Sequence, residues 1–166
     1  MKNKAWEKKL KDQTPGLRRY ARALTQDATA SDDLVQDCLT RAWEKRDSWA
    51  EGSNLRAWLF SIMHNLFINN TRRQKLHQNH VTSATTDTIH HSHSDTMLDL
   101  EKCLAKLKPE TREILLLAGL ENLSYKEIAV ITESPVGTVM SRLSRGREEL
   151  RNLMSDSQKP KLVSIK

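Results

Sequence analysis

Glycine and proline are scarce in this 166-residue chain, five and four in number, and valine, isoleucine and threonine are scattered instead of alternating with polar residues. That pattern disfavours strands and leaves an all-helical reading. No apolar run approaches the roughly 20 residues needed to span a bilayer; the longest, Ile114 to Ala118, is five residues. The start, MKNKAWEKKL, is charged and lacks the apolar core of a signal peptide, so a cytoplasmic protein with no direct membrane insertion is expected. There are two cysteines, Cys38 and Cys103, far apart and in no metal or redox spacing. Both fall on apolar helix faces and should be buried free thiols. A Gly-rich phosphate loop, a Cys–His–acid constellation and an HExxH pattern are all missing. No catalytic residue, metal site or cofactor is therefore expected.

Basic charge is plentiful. Charged residues make up 29% of the chain, and a net charge of +6 with a pI near 9.4 favours an anionic partner such as nucleic acid. Residues 1–76 hold 15 Lys+Arg against 9 Asp+Glu, a net of +6 that equals the whole chain's excess. Any DNA-binding account must include this half.

A lysine-rich helix is expected up to about Asp12, and Thr14-Pro15 should restart a second, with Leu17, Tyr20, Ala21 and Leu24 as its stripe. Gln26 to Ala30 reads as a polar turn. The next helix should open with Asp32 and Asp33, acids suited to a positive helix end. Its apolar side is Leu34, Val35, Cys38, Leu39, Ala42 and Trp43; Asp33, Gln36, Asp37 and Arg41 form a polar stripe opposite. After a loop, RDSWAEGSN, a long helix runs from Leu55 to about Lys75, with Leu55, Trp58, Leu59, Ile62 and Leu66 inward. Trp58 and Phe60 fit packing at least as well as stacking. Residues 77–95 are polar, carry five of the six histidines, and read as a flexible linker unable to offset its ordering entropy. Met97, Leu100, Leu104 and Leu107 resume helical spacing. Lys108-Pro109 opens another helix, for which Gly119 is placed as the C′ residue. The expected domains are 1–76, 96–154 and a frayed tail at 155–166.

The most informative stretch is Ser124 to Leu150. Ser124 and Glu127 form a capping box, with Leu123 and Ile128 as the hydrophobic staple. Ser134-Pro135 then starts a second helix. Val136, Val139, Leu143, Gly146, Leu150 and Leu153 share one face. Thr138, Ser141, Arg142, Ser144 and Arg145 lie opposite. A short capped helix, a tight turn and a helix with a basic outer face is the helix-turn-helix that enters a DNA major groove.

These residues resemble the extracytoplasmic-function class of bacterial sigma factors, the promoter-specificity subunits of RNA polymerase. SDDLVQDCLTRAW is similar to the family's region 2.2, and LRAWLFSIMHNLFINNTRR to regions 2.3 and 2.4. LAKLKPETREILLL, followed by LSYKEIA and SPVGTVMSRLSRGREEL, is similar to region 4. The resemblance spans Leu17 to Arg73 and Leu100 to Leu153, with the blocks in the family's order and separation. It implies an all-α protein of two small helical domains, a region 2 bundle and a region 4 helix-turn-helix bundle, on a flexible polar linker. The partners implied are core RNA polymerase, through a coiled coil of its largest subunit, and promoter DNA as duplex and as single-stranded non-template strand. An anti-sigma factor covering both domains, and able to hold the chain at a membrane, is implied as well.

Residue by residue, Asp33, Gln36, Asp37 and Arg41 match the polymerase-binding surface. Asn65 and Asn69 match the pocket for a flipped base, which needs donors and acceptors together. The loop from Trp49 to Asn54 helps select that base, and Arg72 and Arg73 contact phosphates. Thr138, Ser141, Arg142, Ser144 and Arg145 match positions facing the upstream element. Met140 stands where the family usually has Lys or Arg. Gly146 replaces the usual Ala, which should loosen its turn by roughly 0.5–1 kcal/mol. Both departures suggest weaker upstream binding. The two promoter elements lie about a turn and a half of DNA apart, roughly 50–60 Å. A linker of about 20 residues spans at most about 65–70 Å. The rival reading is a stand-alone helix-turn-helix regulator that senses metal through the linker histidines. No nearby Cys or paired acid completes a ligand set, and no long heptad run supplies the dimer contact such a regulator needs to read two half-sites.

Overall fold

The computed structural model describes residues 2–78 and 95–157, and the side chains of most of them. Seven α-helices and one 3₁₀ turn make up the described residues, with no strand among them: α1 (Lys2–Thr25), α2 (Ala28–Glu44), the turn Arg46–Ser48, α3 (Leu55–Gln78), α4 (Asp95–Lys106), α5 (Pro109–Gly119), α6 (Tyr125–Ile131) and α7 (Val136–Ser157). The linker assigned to 77–95 lies outside the described residues, apart from its ends: residues 77–78 close α3 and Asp95 opens α4.

Several expected boundaries move for local reasons. The break at Thr14-Pro15 does not occur. One helix runs through Pro15, because Trp6, Leu10, Leu17, Tyr20 and Leu24 are buried on one continuous face, and the Thr14 hydroxyl donates to the Leu10 carbonyl at 2.8 Å. The second helix begins before Asp32 and Asp33: Asp27 is its N-cap, accepting from the Ala30 amide at 2.7 Å. The N-cap carboxylate satisfies an otherwise unpaired donor and pulls the intended turn into the helix. Gly119 is helical, not a left-handed C′ residue; Leu120 follows in right-handed geometry, and the positive φ falls later, on Asn122. Ser134 does not cap α7; its hydroxyl donates to the Thr132 carbonyl, and α7 starts at Val136 and runs on to Ser157.

Helices α1, α2 and α3 form one bundle and α4 to α7 another. In the first, Phe60 packs edge-on against Tyr20 at 5.0 Å between ring centroids, and Trp6 meets Trp49 and Trp58 at 5.4 and 6.1 Å. Trp58 and Phe60 are thus packing residues. The buried Cys38 thiol donates to the Leu59 carbonyl at 3.5 Å, and burial pushes it up to about 12. Cys103 is buried in the second bundle, so both thiols are free and enclosed, as expected.

In the second bundle, the Ser124–Glu127 capping box is complete, and Leu123 and Ile128 are buried on either side of it. The Ser124 backbone and hydroxyl groups, together with Asn54 and Arg56, hold the Glu127 carboxyl below its usual range. Gly146 is a packing position as well as a helix-weakening one. A Cβ there would stand 2.6 Å from the Thr111 methyl and 3.3 Å from Leu115, where α7 crosses α5. Alanine would gain about 1 kcal/mol of helix propensity, but overpacking costs about 1–3 kcal/mol. Gly146→Ala is therefore expected to lower stability by about 1 kcal/mol in urea unfolding. Adding Thr111→Ser, which removes the obstructing methyl, should reverse the sign; a stabilised single variant would show that α5 yields freely.

The two bundles also pack on each other, α1 against α5 and α3 against α6. This second packed face explains why α3 is buried more broadly than its Leu55–Leu66 stripe predicts.

Candidate nucleic-acid interface

Three polar surfaces emerge from this arrangement. On α2, the inward side is filled by Leu34, Val35, Cys38 and Ala42, so Asp33, Gln36, Asp37 and Arg41 are all exposed opposite them. The stripe stands clear of the packing between bundles, since α2 rests on α1 and α3.

The second surface is the outer side of α3 and the loop before it. Asn65, Asn69, Arg72 and Arg73 are exposed along the helix, on a line set by i, i+4 and i+7 spacing. Asn54 is the exposed start of α3, its side-chain oxygen accepting from the Ala57 amide at 3.1 Å. Its amide group donates across to Glu127 of α6 at 2.5 Å. Trp49 faces inward: half-buried, it packs against Trp6 with the rings tilted at 45°, and the Lys9 ammonium lies 4.7 Å from its ring centroid.

The third surface is the outer face of α7. Val139, Leu143 and Gly146 are buried, which turns Arg142, Ser144 and Arg145 to solvent and leaves Thr138 and Ser141 half-buried. The Ser141 hydroxyl donates to the Thr138 carbonyl at 3.0 Å. Met140 is 51% exposed beside them, an apolar side chain on an otherwise polar outer face.

Sequence reasoning missed a fourth feature, a pair of buried carboxylates between the bundles. Glu121 is 1% exposed and accepts from Arg19 at 3.0 Å and from Arg56. Glu113 is 2% exposed. The Tyr20 hydroxyl donates to it at 3.3 Å, and His64 Nδ1 lies 2.6 Å away. Burial, with the Glu113 charge beside it, raises the Tyr20 hydroxyl well above its ordinary value. Arg112 adds a clamp, donating to the carbonyls of Leu104, Ala105 and Leu107 in its own bundle and to Leu24 of the other. The one signal available was spacing: Glu113 lies four residues before Leu117, on the face that is buried.

No cluster of His, Cys, Asp and Glu able to hold a metal occurs among the described residues. The histidine-rich part of the chain lies outside them.

Comparison with known proteins assigns the chain to a family. Residues 10–64 match the model described as "Sigma2 domain of PhyR" and residues 97–150 the model "Sigma-70, region 4". The ECF RNA polymerase sigma factor EcfG of Rhodopseudomonas palustris is 38% identical over 144 residues, covering 84% of this chain and 80% of that one. The chain belongs to the extracytoplasmic-function (ECF) sigma factors. The RNA polymerase sigma factor YlaC of Bacillus subtilis is also similar, at 32% identity over 79% of this chain and 81% of its own length. Among solved structures, the sigma factor RpoE of Bartonella quintana, in complex with the anti-sigma factor NepR, superposes with a TM-score of 0.84 at 34% identity. It covers 92% of this chain and 98% of RpoE. CnrH, in complex with the cytosolic domain of CnrY, gives a TM-score of 0.69 at 25% identity, over 93% of this chain and 90% of CnrH. This ECF sigma factor therefore has a region 2 bundle in α1–α3 and a region 4 bundle in α4–α7. It acts with RNA polymerase in promoter-directed transcription initiation, and the stand-alone regulator is not favoured. No described helix is long and apolar enough to cross a membrane.

Proposed function

We propose that the three exposed surfaces divide the work of initiation. Asp33, Gln36, Asp37 and Arg41 dock on the coiled coil of the polymerase's largest subunit. Asn54, Asn65 and Asn69 capture a base of the non-template strand, Trp49 supports the loop that selects it, and Arg72 and Arg73 hold phosphates. Thr138, Ser141, Arg142, Ser144 and Arg145 read the upstream element as duplex. The observation that carries this reading is that every one of these side chains is exposed or half-buried on a helix or loop whose other face is packed. Polar residues at helical spacing opposite a sealed core are free to bind a partner. The chain supplies specificity and strand capture, and the polymerase supplies the chemistry. It works where the polymerase works, in the cytoplasm, and an anti-sigma factor is the partner that silences it, able to hold it at a membrane. The solved complexes of RpoE with NepR and of CnrH with CnrY support that partner.

Run-off transcription with purified core polymerase on genomic fragments tests the reading. Defined starts that appear only when this protein is added are expected; starts unchanged by its addition would refute it. A finer test uses Asn65→Ala. Asparagine offers both donor and acceptor to a flipped base, so its loss should slow promoter opening, read with a fluorescent base near the start, by more than it weakens initial duplex binding. Equal loss of both would reduce Asn65 to a structural role.

A further inference from the structure

Taking the base-selecting role of the Trp49–Asn54 loop as given, we propose that Trp6, near the start of α1, is a positioning residue for promoter opening. Its indole ties that loop to α3 and so sets how the two sides of the base pocket stand to each other.

The inward side of the first turns of α1 is small and specific. Among residues 4–12, Trp6 and Leu10 are buried, Lys9 is half-buried and the rest are exposed. Trp6 touches Trp49 at 5.4 Å between ring centroids and Trp58 edge-on at 6.1 Å. Both separations fall in the range of about 4.5–7 Å where aromatic pairs attract. Lys9 lies over the Trp49 ring, and its ammonium is 3.9 Å from the Glu51 carboxylate. Trp6 and Lys9 thus reach the loop from one helix face, as i, i+3 spacing allows.

The loop needs such a support. Of residues 47–54, Trp49 alone is not exposed. The Trp49 amide donates to the Arg46 carbonyl at 3.2 Å, which closes one turn. The Ser53 amide and hydroxyl close a second, both donating to the Ala50 carbonyl, with Gly52 at φ +90°. These bonds shape each turn without fixing it against the bundle. That falls to Trp49 and the Lys9–Glu51 pair, with Asn54 at the far end. On the other side of the pocket, Asn65 and Asn69 follow Trp58 at i+7 and i+11, along the same side of α3. A shift at Trp6 therefore moves the loop against the two asparagines. The indole N–H groups of Trp6 and Trp49 are buried with no acceptor among the described residues, although a buried tryptophan usually finds one. Leucine or phenylalanine would fill the seat of Trp6 without stranding a donor, so stability alone does not account for the indole.

A nitroxide on Ala50→Cys, an exposed loop position, reads the tether in the full chain without polymerase or promoter, since Cys38 and Cys103 are enclosed. Trp6→Leu should narrow its spectrum toward fast motion with helicity retained. Trp6→Phe, which keeps a ring, should restore the parent's line shape. Holoenzyme then opens four templates that differ in one non-template base of the start-proximal element. The ratio of best to worst opening rate should fall at least about fivefold in Trp6→Leu and recover in Trp6→Phe, since a misplacement of about 1 Å can cost about a hundredfold. The parent's line shape in a folded Trp6→Leu chain overturns the tether. Rates lowered equally for all four bases overturn the positioning role and leave Trp6 a packing residue. If Trp6→Leu loses helicity, Lys9→Glu sets a carboxylate over Trp49 and against Glu51 while sparing the core, and it is judged by the same two readouts. A parent that does not discriminate among the bases refutes the base-selecting loop itself, a result on which the line shape does not depend.

Discussion

Asp37→Arg is expected to abolish co-purification with core RNA polymerase, a loss of at least about a hundredfold in affinity, because a like charge placed in a complementary interface costs several kcal/mol. Asp37 is exposed on α2, with Cys38 and Leu34 turned inward. A surface substitution of this kind usually changes stability by no more than about 0.5 kcal/mol. Pull-down on immobilised core, run beside a urea unfolding curve, separates the two effects. Unchanged binding with an unchanged midpoint would remove α2 from the docking interface. A binding loss accompanied by a lower midpoint would assign the effect to folding.

Arg145→Ala carries the second large effect. Its guanidinium is exposed on the outer face of α7, one turn from Arg142, and a bidentate arginine–guanine pair is worth about 1–3 kcal/mol. Holoenzyme bearing the substitution should bind the upstream element about 5- to 150-fold more weakly. A loss confined to one base position marks a base contact. A uniform loss across sequences, with the salt slope reduced by about one, marks a phosphate contact. No loss of either kind would take Arg145 out of the interface. The exposed Met140 beside it adds no cation, so in the proposed interface Arg142 and Arg145 would carry a larger share of the electrostatics.

The parts legible in the sequence were those governed by local rules. The Ser124–Glu127 capping box and the polar stripe on α2 follow from local spacing and stand as read; on the apolar face of α7, Val139, Leu143 and Gly146 are buried and Leu150 and Leu153 half-buried, whereas Val136, at the helix start with no turn before it to pack on, is exposed. Asp27 capping and the run of α1 through Pro15 were harder, since tertiary burial of one long stripe overrode the local break signals. The contact between the bundles was not legible. Glu121 has no local pattern that marks it for burial, and its partners Arg19 and Arg56 are about 100 and 65 residues away. Gly146 was read as a weak point in a helix because only the crossing with Thr111 reveals that a methyl group has no room.

The enclosed cysteines bear on what kind of signal this protein can receive. Burial pushes the Cys38 thiol up to about 12, which keeps it protonated at neutral pH, and the thiolate is the form that oxidants attack. Cys103 is walled off by its own bundle. Oxidative stress therefore finds no ready thiol on the folded protein. A thiol-based detector would have to sit on another molecule, and its message would arrive here as a change in binding.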